Sequence, residues 1–259
     1  MIRAPWPGQE IAREIARGGL AGLIVGIVVA GFGGRLAMRL AALVVPGATG
    51  SFTENGNRIG DITLVGSAFL VVVIGLIGSI FLATVWVSIS PWLPGRGVVR
   101  GLAAMPIAVA IGSSGLINAG NPDFVVLGHS PVVVAILLGL IAITAPAMAV
   151  ADGWLDRRLP HAASSGSLAG AVYIVLAVIG FSVGSLLVIQ SVAARQQQAL
   201  GVTVFACGIV TIAWWAQRLR GAGPPSRWML IAGRTILVVG TALGFVALAP
   251  DLEAVLLLG

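Results

Sequence analysis

The sequence contains no lysine and only one cysteine, and charged residues make up just 9% of its 259 positions. Soluble domains carry about 25% charged residues, and 58% of this chain is hydrophobic, so lipid is the expected solvent for most of it. The lack of lysine excludes a retinal Schiff base. The single thiol, Cys207, excludes a disulfide within the chain and is typical of a small buried hydrophobe.

Long apolar runs are what the sequence has instead. A membrane-spanning helix needs about 20 predominantly apolar residues, and seven windows qualify: 18–45, 63–89, 98–118, 131–151, 168–189, 200–217 and 228–249. The gaps between them are too short for a soluble domain. The sequence therefore predicts an all-α polytopic membrane protein, a single bundle of about seven transmembrane helices over residues 18–249.

The two ends of the chain lie outside this predicted bundle. Residues 1–17 place Ile11 and Ile15 on one helical face beside oppositely charged pairs, which favours a short amphipathic helix in the membrane interface. A solvated start to the first span is the alternative. Residues 250–259 are expected to form a short apolar tail.

All fifteen basic residues are arginines, and they alternate between the gaps. Short cytoplasmic loops collect Arg and Lys. Ten arginines precede span one or lie between spans two and three, four and five, or six and seven, whereas the opposite loops hold only Arg58 and Arg195. The N-terminus is therefore predicted to be cytoplasmic and the C-terminus outside, as in a multi-pass protein of a cell membrane, with a prokaryotic inner membrane as the expected setting.

Glycine is abundant, with 36 residues, and much of it recurs at four-residue spacing. Gly18, Gly22 and Gly26 form such a stripe along the first span. Small residues at this spacing let helix backbones approach closely in lipid. Packing within the chain is the favoured interpretation, and a stripe facing a partner protein or a second copy of this chain is the alternative.

Arg35 and Arg39 are the candidate ligand-binding residues within the first span, four residues apart on one helical face. The glycine run at 31–34 precedes them. If this run breaks the helix, the restarted half-helix would aim backbone N–H groups and two guanidinium groups at one anion. The alternatives are arginines that reach to the outer headgroups, or that pair with Glu54 or Asp61.

The loops at the same end are predicted to complete this site. Residues 51–61 contain Asn-Gly, the signal for a tight hairpin turn, so a small outer hairpin could cover the two arginines. The remaining candidate ligand-binding residues of these loops are Glu54, Asp61, Asn118, Asn121, Asp123 and His129. A pair of solvated loops explains the same residues.

The function predicted from these patterns is binding or translocation of a small or amphipathic anionic ligand, or of a lipid headgroup, at the outer side. A structural or accessory subunit of a larger membrane complex is the alternative. A lipid-acting enzyme with Asp123 or His129 as acid or base has the least support. Because His129 and His161 are predicted on opposite sides of the membrane, we expect no metal site and no cofactor. The basic residues favour anionic lipids rather than nucleic acid.

Overall fold

The computed structural model describes the chain in segments, namely residues 7–52, 58–60, 68, 70–114, 116–118, 121–127, 130–161, 167–194 and 197–257. These residues are overwhelmingly helical, and the only β pairing among them is an isolated bridge between Phe52 and Arg58. The all-α architecture expected from the apolar runs is therefore confirmed for the described part of the chain.

Nine α-helices follow one another among the described residues. In chain order they are α1 (Pro7–Val25), α2 (Gly34–Val44), α3 (Gly78–Ile89), α4 (Val98–Gly112), α5 (Pro122–Leu127), α6 (Pro131–Arg158), α7 (Ser167–Ala193), α8 (Gln198–Leu219) and α9 (Arg227–Leu257). A π-helical segment, Gly26–Gly33, joins α1 to α2, and a second one, Leu70–Ile77, leads into α3. Short 3-10 turns follow α2 and α3.

Within the described residues, six helical stretches are long and apolar enough to cross a membrane. They are Pro7–Val44, Gly75–Trp92, Pro131–Arg158, Leu168–Ala193, Gln198–Leu219 and Arg227–Leu257. The predicted third window forms the shorter apolar helix α4, which has 15 residues. At 1.5 Å per residue it extends about 22 Å, less than the hydrocarbon thickness of about 30 Å. The chain thus has the architecture of a multi-pass membrane protein.

Small residues bring α1 and α3 together. A Cβ atom added to Gly22 would lie 2.7 Å from the backbone oxygen of Ser79, and one added to Gly26 would lie 2.6 Å from the oxygen of Gly75. These separations leave no room for a side chain, so the glycine stripe of the first span is a packing face within the chain. Gly34, further along the same span, is not part of this packing face, because a Cβ atom added to it would meet nothing within 4 Å.

The largest buried cluster lies where α1, α3, α4, α6 and α8 meet. Trp92, Met148 and Cys207 are fully enclosed there, in agreement with the expectation that Cys207 is a buried hydrophobe. Trp92 donates its indole hydrogen to the backbone oxygen of Ser88 and the hydroxyl of Thr211, both at 3.0 Å. The cluster fixes the rotation of these helices and so determines which side chains face one another near their ends.

Both chain ends are helical where the structure describes them. Residues 7–17 are the first turns of the same helical stretch that continues to Val44, and Ile11 and Ala16 are buried against other helices. Residues 250–257 are likewise the last turns of α9, where Val255 is fully buried. The expected boundaries at residues 17 and 250 therefore both lie within helices.

Candidate functional site

The predicted break in the first span does not occur. The backbone at Val25, Gly33 and Gly34 is helical, and the N–H of Gly34 donates to the carbonyl oxygens of Ala30 and Gly31. The glycine run is accommodated as a π-helical segment, which keeps the backbone hydrogen bonds within the helix. The N–H groups that a restarted half-helix would offer to an anion are therefore not created here, and this part of the prediction is wrong.

Arg35 and Arg39 both lie on α2, where Arg35 is partly buried and Arg39 is exposed. Arg39 Nη1 donates a hydrogen bond of 3.0 Å to the backbone oxygen of Gly60. This contact ties α2 to the following loop. An arginine that anchors a loop backbone is the structural alternative to an anion ligand, and this geometry favours that alternative for Arg39.

The loop after α2 pairs its two ends as a hairpin does. The N–H of Gly50 donates to the oxygen of Ile59, the N–H of Ile59 donates to the oxygen of Ser51, and Arg58 lies 5.9 Å from the ring centre of Phe52. Ile59 is almost fully buried against α2 and α6. Glu54, Asp61 and the expected Asn-Gly turn lie outside the described residues.

The segment that leads into α5 is held by its own short contacts. Asn118 is buried. The side-chain nitrogen of Asn121 donates to the oxygen of Leu116 at 2.9 Å, and its Oδ1 accepts the N–H of Asp123 at 3.0 Å. Asn121 therefore shapes the start of α5. His129 lies outside the described residues.

A second polar region occupies the arginine-rich end of the bundle. Arg13 on α1 is only 2% exposed. It donates to three backbone carbonyl oxygens at the end of α6, those of Asp156 at 2.9 Å, Leu159 at 3.1 Å and Pro160 at 3.1 Å. The last carbonyl groups of a helix have no partner within it, and a cation is favoured there by the helix dipole. Arg13 thus caps α6.

Ion pairs extend this contact across the bundle. Arg17 on α1 pairs with Asp152 on α6 at 2.7 Å and also with Asp156. Arg218 on α8 pairs with Glu14 on α1 at 2.7 Å. The side chains involved are buried to different degrees, and the pair of Arg17 with Asp152 is the more enclosed, at 19% and 11% exposure.

A cavity of about 250 Å³ opens beside these ion pairs. We call it the polar cavity. Its charged lining residues are Glu14, Arg17, Arg100 and Asp152, drawn from α1, α4 and α6. Arg100 donates from Nε to the oxygen of Gly95 at 3.3 Å. Within the described part of the chain Arg100 has no carboxylate partner within ion-pair distance, unlike Arg17.

Three tryptophans also line the polar cavity, namely Trp86 on α3 and Trp214 and Trp215 on α8. Each has a buried indole Nε1 that meets no hydrogen-bond acceptor among the residues the structure describes. Trp86 and Trp215 are only 3% and 8% exposed. Each of these Nε1 atoms is enclosed by protein, so the tryptophans offer no exposed N–H donor to the cavity.

Sequence reasoning missed this end of the molecule. The spacing of Arg13 and Arg17 from Glu10 and Glu14 suggests pairs along one helix, whereas in the structure both arginines reach across to α6. The sequence feature that could have indicated these ion pairs is a matching spacing: Arg13 and Arg17 are four residues apart, and so are Asp152 and Asp156.

Among the described residues no group of three or more His, Cys, Asp and Glu side chains is placed to hold a metal ion.

Comparisons with protein families, with curated proteins and with solved structures find no match to this chain.

Proposed function

We propose that this protein is a membrane protein that binds an anionic, amphipathic ligand through the polar cavity at the arginine-rich end of its helical bundle. The observation that carries the proposal is Arg100, a cation without a carboxylate within ion-pair distance among the described residues, on the wall of a cavity that three tryptophans also line. An oxyanion headgroup supplies the negative charge and the acceptor oxygens that a guanidinium group binds.

The charge around the cavity favours an anion. The charged lining residues are balanced, with Arg17 and Arg100 against Glu14 and Asp152, and the ion-paired neighbours Arg13, Arg218 and Asp156 add one net positive charge. The ion pairs hold Arg17 and Glu14 in place. Arg100 is left to neutralise a ligand, and its planar guanidinium suits a carboxylate or phosphate.

The proposed setting follows from the arginine distribution. We place seven helices across the membrane, with α4 as the short one, and the arginine-rich end on the cytoplasmic side because basic residues accumulate there. The membrane is a cell membrane and, in our proposal, a prokaryotic inner membrane. The ligand would then enter the polar cavity from the cytoplasm or from the inner leaflet.

The predicted anion site at Arg35 and Arg39 stays a prediction. We rank it below the polar cavity as the ligand site, because the helix break that would have supported it is absent. The accessory-subunit alternative relied on glycine stripes as docking faces. Gly22 and Gly26 pack within the chain, so the stripe of the first span gives that alternative no support.

Equilibrium binding of radiolabelled octyl phosphate to the protein in phosphatidylcholine nanodiscs tests the proposal. Arg100→Gln should weaken binding at least about tenfold, because a hydrogen bond to a charged group contributes about 1.5–3 kcal/mol. Arg96→Gln is the matched control, since Arg96 is exposed and is not among the cavity-lining residues. Equal affinity of the Arg100 variant and the wild type would overturn the proposal.

A further inference from the structure

A second cavity lies further along the same helices. It has a volume of about 250 Å³, and its lining includes Val85, Ala108, Ile111, Ala145 and Met148. We call it the apolar cavity. Its walls come from α3, α4 and α6 together with the π-helical segment of the first span, and it includes buried core positions such as Met148, which is fully enclosed.

Trp86 lies between the two cavities and lines both. The same helix faces also continue from one to the other. On α4, Arg100 lines the polar cavity, and Ala104 and Ala108, one and two turns further on, line the apolar cavity. On α6, Asp152 lines the polar cavity, and Met148, one turn before it, lines the apolar cavity. The two cavities are therefore neighbours along the bundle axis.

We infer that the ligand is a single-chain amphiphile whose oxyanion head occupies the polar cavity and whose hydrocarbon tail occupies the apolar cavity. This inference rests on the proposed function, which concerns the head alone. The adjacency of the two cavities along the same faces of α4 and α6 argues for one occupant with its head in one and its tail in the other. A volume of about 250 Å³, at roughly 30 Å³ for each water-sized group, accepts about eight methylene groups.

The length of the paired cavities agrees with a chain of this class. From Arg100 to Gly112, which also lines the apolar cavity, α4 extends about 18 Å at 1.5 Å per residue. The headgroup end is polar and the far end is lined by Ile111 and Ile141. A phospholipid has two long chains, which are too large for this volume, so the tail space selects a single short or medium chain.

A series of alkyl phosphates tests the inference in phosphatidylcholine nanodiscs. The probes are ethyl, butyl, octyl and dodecyl phosphate, and the filling variant is Ala108→Leu. The measured quantity is the ratio of wild-type to Ala108→Leu affinity for each probe, because this ratio cancels partitioning of the probe into the bilayer. Ala213→Leu is the matched control, since Ala213 is exposed on α8 and outside both cavities.

The ratio should be close to one for ethyl phosphate and should rise to at least about tenfold for octyl phosphate, because each buried methylene contributes about fourfold in affinity. A thermal unfolding midpoint equal to that of the control shows that Ala108→Leu is folded. If this midpoint falls, Ala145→Leu provides the second filling variant, and the same ratio is measured with it.

The possible failures are distinguishable. A ratio near one at every chain length, together with loss of binding in Arg100→Gln, overturns the tail inference and leaves the proposed function standing. A chain-length-dependent ratio with no effect of Arg100→Gln overturns the proposed function. Displacement of octyl phosphate by phosphatidylglycerol added to the nanodiscs would show a two-chain lipid as the occupant and would overturn the single-chain assignment.

Discussion

Arg17 Nε lies 2.7 Å from Asp152 Oδ1, although the two residues are 135 positions apart in the sequence. The pair joins the start of the first helix to the end of α6 at the wall of the polar cavity. Arg17 also forms an ion pair with Asp156, whereas Asp152 has Arg17 as its single ion-pair partner among the described residues. This difference in the number of partners has a measurable consequence for stability.

We expect Arg17→Gln to destabilise the protein more than Asp152→Asn. Arg17→Gln removes the hydrogen-bonded cation of the enclosed Asp152 carboxylate and leaves it only Arg100 in the same cavity, a loss of up to about 3 kcal/mol for a buried pair. Asp152→Asn leaves Arg17 paired with Asp156 and should cost clearly less. Chemical unfolding in detergent micelles measures both, with Glu253→Gln on an exposed position of α9 as control. Equal losses in the two variants would contradict this ranking.

The contact between α1 and α3 is expected to tolerate no side chain at its centre. Gly22→Leu should lower the thermal unfolding midpoint strongly, since a Cβ there already lies 2.7 Å from Ala83 Cβ and from the oxygen of Ser79. Gly34→Leu is the control, because an added Cβ at Gly34 meets nothing within 4 Å. Leu23→Ala, at a partly buried position, should have the smallest effect. A wild-type midpoint for Gly22→Leu would show that this face is not an essential contact.

Arg39 is expected to hold the loop that follows α2. Arg39→Gln removes the hydrogen bond to the oxygen of Gly60, which contributes about 0.5–1.5 kcal/mol. Hydrogen exchange at the amides of Gly50 and Ile59, which pair the two ends of the loop, should become faster. Arg234→Gln, an exposed arginine on α9, should leave the exchange of these amides unchanged. Unaltered exchange in Arg39→Gln would leave Arg39 without an anchoring role.

Arg35 distinguishes the two candidate sites for an anion. With the ligand in the polar cavity, Arg35→Gln should bind octyl phosphate as the wild type does, because Arg35 lies on α2 and is not a lining residue of that cavity. The same binding assay measures this variant beside Arg100→Gln. Loss of binding in Arg35→Gln, with an unchanged unfolding midpoint, would move the site to the outer end predicted from the sequence.

The orientation of the bundle can be measured by cysteine labelling. In a Cys207→Ala background, Ser51→Cys should react with a membrane-impermeant maleimide added outside, and Ser165→Cys should not. The reason is the arginine distribution, with ten residues on the side that includes the loop around position 165 and two on the other. Reaction of Ser165→Cys alone would reverse the proposed topology.

The amino-acid sequence by itself determined the solvent and the type of secondary structure. Runs of about 20 apolar residues favour helices in lipid because only internal hydrogen bonding satisfies the backbone there. The glycine spacing of Gly22 and Gly26 also identified a packing face from local pattern alone, since a four-residue repeat places small residues on one side of a helix. These are short-range properties, and they can be predicted without knowing which helices are neighbours.

Only the tertiary structure decided what the charged residues do. The pairing of Arg17 with Asp152, and the capping of α6 by Arg13, depend on how α1 and α6 are rotated and on where each helix ends. The same holds for the helix break expected before Arg35, where the structure has a π-helical segment instead. The cavities at Trp86 arise from side chains of several helices. Such arrangements depend on the packing of distant segments, which local hydrophobic and charge patterns do not encode.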